Sequence, residues 1–93
     1  MASFTVRVQL PGDPSEEVYS RLHREMQSKD FQRVVTSNDG VTYQLPHGEY
    51  NISYGTRPAV LEAAKTAASK IMTGAQILVT ESAGRTWSNL KQL

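Results

Sequence analysis

From Phe4 to Leu10 apolar and polar residues alternate without a break. This predicts a strand with Phe4, Val6, Val8 and Leu10 on a buried face and Thr5, Arg7 and Gln9 on the other. Pro11-Gly12 ends it. Asp13-Pro14-Ser15-Glu16 then reads as a helix start: an N-cap acid, a proline at the first helical position and a glutamate at the third, a capping-box variant. From Ser15 to about Lys29 the period becomes helical. Val18, Tyr19, Leu22 and Met26 form one stripe opposite Glu16, Glu17, Arg21, Arg24 and Lys29. Phe31 to Tyr54 predicts a long β-hairpin, the piece around which the rest is built. Phe31 to Thr36 and Val41 to Leu45 carry strand patterns across the turn Ser37-Asn38-Asp39-Gly40. Pro46-His47-Gly48 predicts a bulge or sharp bend, with Glu49 to Tyr54 extended beyond it.

Gly55-Thr56-Arg57-Pro58 is a second helix start, with Thr56 or Arg57 near the cap. The helix Pro58 to Ile71 sets Val60, Ala64, Ala67 and Ile71 on one face. After Thr73-Gly74, Ala75 to Ser82 is extended, with Ile77 and Val79 alternating with Gln76, Leu78 and Thr80. The last segment, Gly84 to Leu93, has weak signals. As a helix it would align Trp87, Leu90 and Leu93 to cover an edge or end of the sheet. The order strand, helix, strand, strand, helix, strand predicts an α+β, ferredoxin-like βαββαβ sandwich over residues 1–93: one domain, a four-stranded antiparallel sheet with both helices on one face, and a C-terminal extension. The reverse face, with Thr5, Arg7 and Gln9, is where function is expected.

Composition narrows the class. Ninety-three residues suffice for one modest core. With 39% hydrophobic and 20% charged residues the chain reads as a folded, soluble protein rather than a disordered one. A formal charge of +1 gives no global electrostatic drive toward nucleic acid or anionic membrane, though a local basic patch fits within it. The absence of cysteine excludes disulfides and thiolate metal sites, and no apolar run is long enough to span a bilayer. With no signal-peptide layout at the start, the expectation is a cytoplasmic protein without a membrane partner.

Two histidines are the candidates for proton transfer. Metal-independent RNA cleavage wants one group to take the proton of a ribose hydroxyl and another to protonate the leaving oxygen. His47 lies in the Pro-His-Gly turn, and His23 at the border of the helical stripe, where a partly buried helix histidine is the plainer reading. Arg21, Arg24, Lys29 and Arg33 make a basic run, with Arg7 on the first strand; such a run is a solvated helix face or a set of phosphate contacts. Tyr50 and Tyr54 alternate on one strand as core residues or a base-stacking row, and packing is the commoner use. Asp30 and Asp39 flank the hairpin but no close carboxylate pair declares a metal site, and no cofactor motif appears.

The hairpin Phe31 to Tyr54, with its turn glycine, Gln44-Leu45 and Tyr50, resembles the GhoS family of small bacterial proteins. Thr5 to Pro11 is similar to that family's first strand, and Tyr19-Ser20-Arg21-Leu22 to its first helix. The resemblance implies a ferredoxin-like endoribonuclease antitoxin of a type V toxin-antitoxin system, acting on the message of a membrane-active toxin. It singles out Arg21 as an RNA contact. His23 stands where a further arginine aligns, and Gln9 where related CRISPR-associated nucleases place a metal-binding aspartate, which disfavours metal-dependent cleavage. The leading expectation is an RNA-binding homodimer with Arg7, Arg21, Arg24 and Arg33 on RNA and His47 and His23 in proton transfer, needing no cofactor. The rival is a non-enzymatic homodimeric interaction module that uses the open sheet face or the hairpin edge.

Overall fold

A computed structural model describes residues 3–93. The alternation at the start becomes β1 (Phe4–Gln9), and its apolar face, continued by Leu10, is buried throughout. The helical stripe becomes α1 (Glu16–Gln27), with Leu22 and Met26 in the core and Val18 and Tyr19 packed against it. The expected capping box does not form. Ser15 occupies the cap position with extended backbone and no side-chain hydrogen bond, so Asp13 and Pro14 lie outside the helix, while Glu16 and Glu17 complement the helix dipole in its first turn. The hairpin region holds β2 (Val34–Thr36), β3 (Thr42–Gln44) and β4 (Glu49–Ile52). Helix α2 (Arg57–Ser69) follows, capped by the Thr56 hydroxyl, which accepts from the Ala59 amide at 3.3 Å. β5 (Gln76–Glu81) and the two-residue β6 (Lys91–Gln92) complete the chain.

The strands form two three-stranded antiparallel sheets, ordered β4-β1-β5 and β2-β3-β6, and not the single four-stranded sheet expected from the sequence. The division arises at the Pro46-His47-Gly48 turn. Gly48 has φ +80°, and a Cβ there would lie 2.6 Å from the Val8 carbonyl oxygen; its own carbonyl accepts from the Val8 amide at 2.7 Å. The turn also engages the Glu49 amide, which donates to the Pro46 carbonyl at 3.1 Å. On the outer edge of β4 this leaves Asn51 to pair, and it exchanges two hydrogen bonds with Gln32, at 2.8 and 2.6 Å. One bridge therefore stands where a fourth strand would continue the sheet. Beyond it the chain turns away as β2, pairs with β3, and recruits β6 on the far side.

Both helices lie on the β1 face that carries Phe4, Val6 and Val8: Leu22 and Met26 from α1 and Val60, Ala64, Ala67 and Ala68 from α2 share one buried cluster with Tyr50 and Ile52 of β4. The alanines let α2 approach closely. The reverse face is only partly open, because the C-terminal segment crosses it in extended form rather than as the helix considered above. Arg85 donates to the Thr5 hydroxyl at 2.8 Å and to the Asn51 side-chain carbonyl at 2.9 Å, and Trp87 meets Tyr43 edge-on with ring centroids 5.3 Å apart. Asn89, at φ +65°, breaks any helical run, so Trp87 and Leu90 are half-buried while Leu93 is exposed.

Candidate functional site

The two histidines, 24 positions apart in the chain, come together. Helix α1 carries Tyr19 and His23 one turn apart on the flank that faces β4, and the Gly48 turn folds His47 back over them. His47 lies 5.1 Å from His23 and 5.1 Å from Tyr19 between ring centroids. Beneath them Tyr50 of β4 is fully buried, and its hydroxyl lies 2.5 Å from His23 Nδ1. The ring of Phe31 closes the bottom of the stack edge-on to Tyr50. Tyr50 is thus a core residue with one polar end. Tyr54, beyond β4, is exposed and donates its hydroxyl to Asp30, so the two tyrosines do not form a base-stacking row.

Burial separates the two histidines. Burial, followed by the nearby Arg33 guanidinium and then by His47, pulls the His23 pKa down from 6.5 to about 4. Burial raises the Tyr50 hydroxyl well above its ordinary value, so the pair is neutral at pH 7. Either tautomer of His23 leaves Nε2 enclosed without a protein partner. Arg33 sits beside it with Nε enclosed and unpartnered and Nη2 donating to the Leu45 carbonyl at 3.4 Å. His47, by contrast, is exposed.

The remaining basic residues are dispersed. With ~100° between successive helical residues, Arg24 stands ~100° round α1 from His23, on the outer surface, and Arg21 ~160° round, turned away from His47. Both are exposed. Arg7 lies on the opposite face of the sheet, paired across strands with Glu49 and Leu78. The structure thus gathers His23, His47 and Arg33, leaves Arg24 on the outer surface of α1, and separates Arg7 and Arg21 from them. Tyr19, whose hydroxyl accepts from the Leu10 amide at 3.4 Å, belongs to the same group. In the sequence it was legible only as a core residue, though its four-residue offset from His23 places them side by side.

Asp39 accepts from the Ser37 hydroxyl, and Asp30 from Tyr54. Among the described residues no three His, Cys, Asp or Glu side chains cluster to hold a metal, and no helix is long and apolar enough to cross a membrane. A surface hollow of about 470 Å³ lies elsewhere, where residues 82–87 pass the hairpin, and its one cation, Arg85, is already bound to Thr5 and Asn51. Compared with family models, curated proteins and solved structures, the chain matches none.

Proposed function

We propose that the chain binds single-stranded RNA at the flank where α1 meets the end of β4. The observation that supports this is the convergence of His47, Tyr19, His23 and Arg33 from three separate parts of the sequence, with the His47 ring exposed. An unstacked base presents a π-face to such rings, and the neighbouring phosphates suit Arg24 and Arg33. Cleavage by a histidine pair needs two accessible proton carriers. Here His47 is exposed whereas His23 is neutral with Nδ1 at the Tyr50 hydroxyl and Nε2 enclosed, so the arrangement supports binding with one proton-transfer group rather than a complete nuclease. The resemblance of the hairpin to the GhoS family suggests a toxin message as the target.

Fluorescence anisotropy with a labelled single-stranded RNA at low salt tests this. The unaltered chain is expected to bind and to leave the RNA intact on a gel. His47→Ala is expected to weaken binding about tenfold, the effect of losing one stacked base, with the circular dichroism spectrum unchanged. No binding at low salt, or full affinity in the variant, overturns the proposal. One feature favours the interaction-module reading instead. The uncovered part of the sheet's reverse face carries Gln9, Gln76, Leu78 and Thr80 with Arg7 alone as a cation, and so forms no basic patch.

A further inference from the structure

We infer that the outer edge of β5 is a self-complementary dimer interface, in which two copies join their β4-β1-β5 sheets through antiparallel β5 strands about a two-fold axis at Leu78. This is independent of the RNA reading, which concerns the opposite flank of the molecule.

The ladder determines which backbone groups are free. The Ser82 amide donates to the Ser3 carbonyl at 2.7 Å, in line with the β1-β5 register. The alternation of an antiparallel ladder then turns the amides and carbonyls of Gln76, Leu78 and Thr80 toward β1 and those of Ile77, Val79 and Glu81 outward. Among the described residues β5 has no partner on that side. The edge is little protected: the strand has no proline, lysine or bulge, its one charge is Glu81 at the end, paired with Arg57, and it pairs with β1 over six consecutive residues.

A second β5 fits this edge with the two-fold axis at Leu78 better than with it at Val79. With Leu78 opposite Leu78 of the second copy, Ile77 and Val79 face each other as hydrogen-bonded pairs, which satisfies the outward groups of both. On the helix side these pairs join the groove of Arg57, Pro58, Leu61, Ile77 and Val79, whose one charge, Arg57, is paired with Glu81, to its counterpart. On the reverse side the two Leu78 side chains meet across the axis and cover each other, each a large apolar residue left 64% exposed in the single chain. Charge agrees with this direction. Antiparallel pairing sets the two Glu81 carboxylates ~20 Å apart, six strand residues at ~3.3 Å each, whereas parallel pairing would set them side by side. Centring the axis on Val79 instead would face Ile77 with Glu81, placing a carboxylate against an apolar side chain.

Sedimentation equilibrium on the full chain tests the inference. The unaltered chain is expected to weigh twice its monomer mass at high micromolar concentration. Leu78→Lys and Leu78→Glu are each expected to be monomeric with unchanged circular dichroism, because like charges then meet across the axis, and an equimolar mixture of the two is expected to recover the dimer. A second arm fixes the register. The chain has no cysteine, and directly opposed residues of a non-hydrogen-bonded pair lie ~4.5 Å apart between Cα atoms, within disulfide range. Leu78→Cys is therefore expected to form a covalent dimer on mild oxidation, and Gln76→Cys and Thr80→Cys are not. A monomeric unaltered chain, a dimer that survives both charged substitutions, or cross-linking at 76 or 80 in place of 78 overturns it.

Discussion

At the scale of single residues the decisive contact is His23 against Tyr50. An imidazole at the border of an apolar stripe is readable from helical spacing alone, as is the packing role of a tyrosine in a strand. Their meeting depends on how far α1 rotates over β4, which no local pattern encodes. The consequence is a measurable pH dependence. The unfolded chain takes up a proton at His23 near pH 6.5, while the folded chain resists doing so until about pH 4. The unfolded state therefore binds more protons between these limits, and the stability His23 confers as a neutral group is complete above the upper limit and lost as pH falls through the window. The half-exposed ring is screened by water, so the loss is on the order of 1–2 kcal/mol. Urea unfolding at about pH 7 and about pH 5 checks this: the unaltered chain is expected to weaken by that amount, and His23→Gln, which has nothing to protonate there, to weaken much less. Equal losses in both would place the acid sensitivity in other groups.

At the scale of elements, β1, both helices and β5 were legible because each carries its own period, and boundary signals mark three of the four: Pro11-Gly12 after β1, Thr56 before α2, Thr73-Gly74 before β5. The hairpin was legible as three extended runs about a turn, but not as a member of a second sheet. That depends on the Glu49 amide being taken up within its own turn, a matter of hydrogen-bond accounting and not of hydrophobic pattern. The C-terminal segment was the least readable. It has neither period, and it is held by the two hydrogen bonds of Arg85 and by the Trp87–Tyr43 contact, between residues far apart in sequence. Because Trp87 is the chain's one tryptophan, its fluorescence reports this docking directly. Arg85→Ala removes both hydrogen bonds, whose charged donor gives them a worth of about 1.5–3 kcal/mol each at most in buried surroundings and less at this half-buried site. The variant is expected to show a red-shifted Trp87 emission at unchanged helical ellipticity. An unshifted spectrum would mean that Trp87 and Leu90 hold the segment without Arg85.

At the scale of the whole molecule the question is how cations are distributed over a chain whose formal charge is only +1. With so small a total, affinity for a polyanion must come from placement. A sequence reading groups Arg7, Arg21, Arg24 and Arg33 because they are close in number or share an expected face. Folding assigns them to different surfaces: Arg7 beneath the sheet beside Glu49, Arg21 on the far side of α1, Arg24 on the outer surface of α1, and Arg33 beside His23. The RNA proposal therefore predicts an asymmetry that a diffuse electrostatic attraction would not produce. Each phosphate neutralised by a cation contributes ~0.7 to the slope of log affinity against log salt for a single strand. Arg24→Gln is expected to weaken binding at low salt and to flatten that slope by about this amount. Arg7→Gln, which removes the same charge from the opposite face, is expected to leave the slope unchanged and to alter affinity only through long-range attraction that screening abolishes over ~10 Å near 0.1 M salt. Titrations of both variants across a range of salt concentrations check this. If Arg7 and Arg24 flatten the slope equally, RNA contacts both sides of the sheet or binds without a defined site, and the flank around His47 loses its claim to be the recognition surface.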